Sequence, residues 1–106
     1  MLDDELIYKA TEIFSSLADS TRFKILVALT ESELCVCDLV ELCAVSQSAV
    51  SHQLRLLRDR GIVRARRQGQ HIVYSLDDEH VRTLIISGIE HAAHLGGYSD
   101  GDSALC

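Results

Sequence analysis

The first half of the chain carries apolar residues at the three- and four-residue spacing of amphipathic helices. This spacing predicts a first helix whose apolar positions are Leu6, Ile7, Ala10, Ile13, Phe14 and Leu17. Asp19 or Ser20 is suited to cap a second helix that runs to about Leu29. After a polar link at residues 30–32, the pattern of residues 33–43 predicts a short third helix.

A fourth helix is predicted after a short break at residues 44–46. Ser46 is a suitable N-cap for a helix over residues 47–60, and Gly61 is suited to end it. Two helices joined by so short a turn predict a helix-turn-helix. One face of the fourth helix is apolar and consists of Val50, Leu54 and Leu57. The other face presents side chains of the types that read base edges and contact phosphates, namely Gln47, Ser48, Ser51, His52 and Arg55.

Residues 62–66 and 71–76 resemble β-strands, and residues 67–70 between them form a basic, amide-rich tip. A reading helix followed by such a hairpin predicts a winged helix-turn-helix, so the expected fold is mainly α with a β-hairpin wing. The wing residues expected near phosphates or the minor groove are Arg66, Arg67, Gln68 and Gln70.

Charge is unevenly spread along the chain. The net charge of −6 argues at first against nucleic acid as a partner. From Ser46 to His71, however, six arginines stand against one acid, so this segment carries +5 and the remainder −11. Clustered arginines are compatible with a solvated helix face as well as with a DNA-binding surface. The basic segment coincides with the predicted reading helix and wing.

The last predicted helix, over residues 78–94, carries a candidate metal site. At about 100° per residue, His80, His91 and His94 lie within about 60° of one another, but His80 and His91 are about 16 Å apart along the axis. Zinc holds imidazole nitrogen at about 2.0–2.1 Å, so one copy cannot complete a site. Asp78 and His80 of one copy could meet His91 and His94 of an antiparallel second copy in a closed tetrahedron.

This pattern predicts a symmetric homodimer with two sites for zinc or another divalent transition metal. Three histidines on one face are also compatible with ordinary interface residues, but Asp78 two positions before the first favours metal binding. Four protein ligands close the coordination sphere, which suits sensing or structure and argues against an enzyme. The residues expected in the dimer interface are Leu6, Ile7, Ile13, Phe14, Val81, Leu84, Ile85 and Ile89.

Domain organisation and compartment follow from length and composition. Residues 1–95 are expected to form one domain, and residues 96–106 have the composition of a flexible tail. No run of about 18 apolar residues occurs, and the N-terminus is acidic where a signal peptide would be basic. We therefore expect a cytoplasmic protein with no membrane partner, whose cysteines are thiols or metal ligands.

Four motifs carry a resemblance to a known family, and their sequences are ELCVCDL from residue 33, SQSAVSHQL from residue 46, RQGQ from residue 67 and YSLDDEH from residue 74. From about residue 10 to residue 94 the chain resembles the ArsR/SmtB family of dimeric metal-sensing transcriptional repressors. Its last-helix pattern is most similar to the CzrA-like, zinc- and cobalt-responsive branch. The resemblance implies that a metal-free homodimer binds an imperfectly palindromic operator, and that metal releases the DNA so that efflux or sequestration genes are expressed.

The resemblance also implies a relay and a possible second site. In the family's arrangement His91 lies opposite the end of the reading helix, where its second ring N–H would reach the carbonyl of Gly61 or a neighbour. Cys35 and Cys37 resemble a soft-metal site, but residues 1–34 offer no cysteine or histidine and the arsenic-type third position is Val40.

The chain has two further cysteines, which differ in whether they could join this second site. Cys43 should point away from the pair, whereas Cys106 could supply a third ligand. A thiol-based repressor of the same fold therefore remains open. It would respond to cadmium, lead or arsenite, or to redox or persulfide chemistry.

Overall fold

The computed structural model describes residues 2–97. Its elements are α1 (Asp4–Leu17), α2 (Ser20–Leu29), β1 (Leu34–Cys35), α3 (Val36–Cys43), α4 (Gln47–Asp59), β2 (Val63–Gln68), β3 (His71–Leu76) and α5 (Glu79–Leu95). Among the described helices, none has both the length and the apolar character needed to span a bilayer. The predicted tail lies, beyond Gly97, outside the described residues, as does Cys106.

The hydrophobic core lies where α2, α3 and α4 pack together, with α5 and the sheet beside them. Its fully buried large side chains are Ile25, Leu26, Leu29, Leu39, Val50, Leu54, Leu57, Ile62 and Ile85. Burying a side chain of this kind contributes about 1.5–3 kcal/mol to the free energy of folding. The core therefore holds α4 firmly by one face and leaves its other face to solvent.

The turn of the helix-turn-helix is defined by how α3 ends and how α4 begins. Ala44 ends α3 in the left-handed region at φ 56°, and its N–H donates to the carbonyl of Val40 at 3.0 Å. Ser46 caps α4 as predicted, because its Oγ accepts a hydrogen bond from the N–H of Ala49 at 3.2 Å. The helix itself ends at Asp59, one residue earlier than predicted.

The wing belongs to a three-stranded antiparallel sheet in the order β1-β3-β2. The prediction of a third helix from residue 33 was wrong at its start, because Leu34 pairs with Tyr74 and Cys35 with Val73. This pairing keeps the backbone extended up to Cys35, so α3 begins at Val36, three residues later than predicted.

The hairpin between β2 and β3 is also longer than predicted. The register runs from Val63 opposite Leu76 to Gln68 opposite His71, so that Arg67 and Gln68 lie in a strand. Only Gly69 and Gln70 form the turn. Gly69 has φ +64°, the positive angle that two-residue hairpin turns require.

Helix α1 lies at the edge of the protomer and has one buried residue, Ser16. Its large apolar side chains at Leu6, Ile7 and Phe14 are 60%, 49% and 58% exposed. They are therefore available to a second copy, and their place in the dimer interface stays a prediction.

Helix α5 differs from the prediction on its apolar face. Val81 and Ile85 are buried in the protomer's own core, at 9% and 0% exposure, so their assignment to the dimer interface was wrong. The reason is that α5 packs on α2 and β3 and needs this face for that contact. Ile86 and Leu95 are exposed instead. Gly88 lies in the middle of the helix, and no other part of the described protomer comes within 4 Å of where a Cβ would stand.

Candidate metal and DNA-binding sites

The solvent face of α4 carries the predicted reading residues. The side chains of Gln47, Ser48, Ser51, His52 and Arg55 are all exposed. Opposite them, Val50, Leu54 and Leu57 are at most 1% exposed. The reading residues are thus presented on a helix whose rotation about its own axis is fixed by the core.

The wing tip offers a second exposed polar surface, with Arg67, Gln68 and Gln70. Arg66 behaves differently, because its guanidinium makes a bidentate contact with Glu33, at 2.9 Å from Nε and 2.5 Å from Nη2. The hydrogen bond from Arg66 lowers the pKa of Glu33, and the carboxylate raises the pKa of Arg66. Arg66 is therefore already paired with an acid, and a phosphate would have to compete for it.

The first half of the candidate metal site lies at the start of α5. Asp78 is the N-cap, and its Oδ1 accepts a hydrogen bond from the N–H of Val81 at 3.1 Å. Its Oδ2 lies 3.4 Å from Nδ1 of His80, whose side chain is 95% exposed. The Val81 N–H, with a smaller effect of His80, lowers the pKa of Asp78. The carboxylate is thus held ionised, with one oxygen beside an exposed imidazole.

The second half lies near the end of the same helix. His91 and His94 are exposed, and their ring centroids are 6.3 Å apart with 30° between the planes. Within the described part of one protomer, these two histidines do not gather with Asp78 and His80 into a group of three or more ligands. Each end of α5 therefore presents an incomplete, solvent-facing pair of donors.

Ligand atoms do gather at the start of α3. The Sγ atoms of Cys35 and Cys37 are 2.8 Å apart, and Oδ2 of Asp38 lies 3.3 Å from Sγ of Cys35. The contact with Cys37 raises the pKa of Cys35, and burial raises the pKa of Cys43, which lies in the core as expected. Asp38 was not predicted as a ligand, although it lies three residues after the N-cap, where its carboxylate accepts a hydrogen bond from the N–H of Cys35.

Gly61, the proposed end of the relay, is exposed just beyond α4 with φ +71°. Its N–H donates to the carbonyl of Arg58 at 3.0 Å. Its contact with His91 stays a prediction.

Comparison with known proteins places these features in a family. The sequence profile described as "Bacterial regulatory protein, arsR family" matches residues 19–65. The HTH-type transcriptional regulator NmtR of Mycobacterium tuberculosis is 44% identical over 100 residues, which cover 93% of this chain and 83% of NmtR. The chain belongs to the ArsR/SmtB family.

Two other similar proteins agree with ArsR/SmtB membership. A transcriptional repressor SmtB homolog of Synechocystis sp. is 50% identical over 80 residues, which cover 76% of this chain and 61% of that relative. The solution structure of apo-NmtR has a TM-score of 0.76 at 41% identity and covers 100% of this chain and 90% of that one. The predicted class, a winged helix-turn-helix transcriptional regulator and not an enzyme, is confirmed by these relatives.

Proposed function

We propose that this chain is a cytoplasmic metal-responsive repressor whose metal-free homodimer binds a palindromic operator. Zinc or cobalt would be bound by Asp78 and His80 together with His91 and His94 of the partner subunit, and operator affinity would then fall. The observation that carries this proposal is the separation of four donors into two exposed pairs at opposite ends of α5. Operator binding titrated with a panel of divalent metals is the direct test.

The donor chemistry fits a zinc-type ion. Three imidazoles, which are borderline ligands, and one carboxylate, which is a harder ligand, together suit zinc and its neighbours in the first transition row. When bound, the ion would supply a closed four-coordinate link between two protomers. The chain itself orients these donors, because the cap to Val81 fixes the carboxylate of Asp78 next to His80.

The switch is proposed to run from the ligand pair at the end of α5 to α4. A ligating imidazole usually gives its second N–H to a carbonyl or carboxylate. The exposed backbone at Gly61 offers such a carbonyl at the C-terminal end of the reading helix. A hydrogen bond from His91 to this segment would link the ligand pair to the position of α4.

Operator binding should depend on Arg67 more than on Arg66. Arg67→Ala removes an exposed wing charge, so we expect weaker binding to all sequences and a salt dependence whose slope falls by roughly one. The matched control is Glu33→Ala/Arg66→Ala, which removes a neutral pair from the same wing. Fluorescence titrations over a range of salt concentrations measure both slopes. Equal losses of slope in the two variants would show that Arg66 leaves Glu33 for the DNA.

A second candidate function is that of a thiol-based repressor, which would sense a soft metal ion or an oxidant through Cys35 and Cys37. With Asp38 these residues form the one group of three ligand atoms found within the described residues of a protomer. The pair opens on a groove that also includes Gln47, at the start of α4, and His71 of the wing.

Changing Cys35 and Cys37 together separates the two functions. If the metal site on α5 is the sensor, the Cys35→Ser/Cys37→Ser variant should release the operator at a zinc concentration within about twofold of the one that wild type requires. Cys43→Ala is the control for loss of a thiol that lies in the core. A double variant that stays on its operator in zinc, while Cys43→Ala releases it, would favour the thiol sensor.

A further inference from the structure

Helix α1 is attached to its own protomer near its C-terminal end, where Leu17 packs against the core and Ser16 makes polar contacts. Ser16 is its one buried residue, and the large apolar side chains Leu6, Ile7 and Phe14 face solvent. In the proposed dimer these apolar side chains pack on the second copy, so α1 would be held by its partner on one side. On the other side its orientation in the protomer depends on the packing of Leu17 and on the hydrogen bonds that Ser16 makes.

Those contacts lead to the reading helix. The Oγ of Ser16 donates to the carbonyl of Glu12 at 2.9 Å and accepts from Nη1 of Arg60 at 2.7 Å. The carbonyl of Ser16 accepts from Nε of Arg22 at 2.9 Å, and Nη1 of Arg22 donates to Oε1 of Gln53 at 3.1 Å. The last turn of α1 is thereby joined to α4 at two points. One is Gln53 in the middle of the helix, reached through Arg22, and the other is the C-cap residue Arg60.

Electrostatics favours this arrangement. The carbonyls of the last turn of a helix carry partial negative charge and attract cations. Helix α1 has no basic residue of its own in that turn. Arg22 from α2 and Arg60 from the end of α4 supply the two guanidinium groups instead. Because Arg60 directly follows the last helical residue, Asp59, a shift of α1 would be transmitted to the end of α4.

We propose that Ser16, Arg22 and Arg60 form a junction that fixes the angle between α1 and α4, and so sets the spacing of the two reading helices in the dimer. These are positioning residues, which act on the operator through α4. The inference rests on the proposed function, since spacing matters only if a dimer reads two half-sites.

The test uses an operator duplex selected by the wild-type protein from a random pool, and versions with one base pair added or removed at the centre. Wild type should prefer the selected spacing by about tenfold or more. Ser16→Ala and Arg60→Met should lower this preference to about twofold, because α4 is no longer held at one angle. Both should keep wild-type zinc affinity and a wild-type unfolding midpoint within a few degrees, since Arg60 is exposed and can be solvated.

Arg58→Met is the matched control. It removes the same charge from the last turn of α4, where Arg58 is exposed, and it leaves the Ser16 contacts in place. We expect it to lose affinity equally for all three spacings and to keep the preference. Unchanged spacing preference in Ser16→Ala and Arg60→Met would overturn the junction. Failure of the wild-type protein to select a palindrome at all would instead overturn the proposed function, and the junction with it.

Discussion

Two variants that each lack half of the α5 donors should bind zinc only after they are mixed. Asp78→Asn/His80→Ala keeps the helix cap, because asparagine caps as well as aspartate, but removes the first pair. His91→Ala/His94→Ala removes the second. Each homodimer would retain only half-sites, so zinc affinity should fall on the order of a thousandfold or more.

Mixing the two variants lets them exchange subunits, and zinc binding recovers only if the site is shared between two protomers. About half of the dimers in an equal mixture should be heterodimers, each with one complete and one empty site. The mixture should therefore bind about a quarter of the wild-type amount of zinc per protomer. Competition with a chromophoric chelator, before and after mixing, measures this directly. A mixture that binds no more zinc than its components would place the site within one protomer.

Replacing Phe14 with aspartate should convert the dimer into monomers. Burial of a phenylalanine side chain contributes about 1.5–3 kcal/mol to the free energy of association. This contribution is lost twice, because each protomer of a twofold dimer carries its own Phe14. Adding two buried charges would weaken association further. We expect the dimer dissociation constant to rise by about a hundredfold to ten-thousandfold, as measured by sedimentation equilibrium.

Tyr8→Asp is the matched control, because Tyr8 is also an exposed aromatic residue of α1, at 63%. At about 100° per residue it projects about 120° away from Phe14. Its change should leave the dissociation constant within about threefold of wild type. If both variants dissociate equally, the loss reflects damage to α1 as a whole and not an interface at Phe14.

Local patterns were enough to predict the helix-turn-helix. Ser46 is a favourable N-cap because its hydroxyl accepts a hydrogen bond from the first turn, and the helical spacing of Val50, Leu54 and Leu57 determines which face is buried. Asp78 and His80 lie side by side because their spacing is a property of one short segment, and their role as metal ligands stays a prediction.

The errors arose where structure depends on distant residues. Leu34 and Cys35 become a strand only because β3 pairs with them, and nothing near them in the sequence indicates this partner. The pairing of Arg66 with Glu33 is likewise a contact across the sheet. For Val81 and Ile85, periodicity correctly predicted a buried face but could not say whether the protomer or a second copy covers it.

Gly88 divides α5 into two halves of unequal stability. A glycine inside a helix costs about 1 kcal/mol relative to alanine, and no side chain of the described protomer packs there to offset it. The turns near Val81 and Ile85 are held by the core, whereas the turns that carry His91 and His94 are exposed and open more readily. The two donor pairs therefore differ in conformational entropy. In the proposed metal site the pair at Asp78 would be preorganised and the other pair would lose its freedom on binding, so part of the free energy of binding would be spent in ordering one end of a helix.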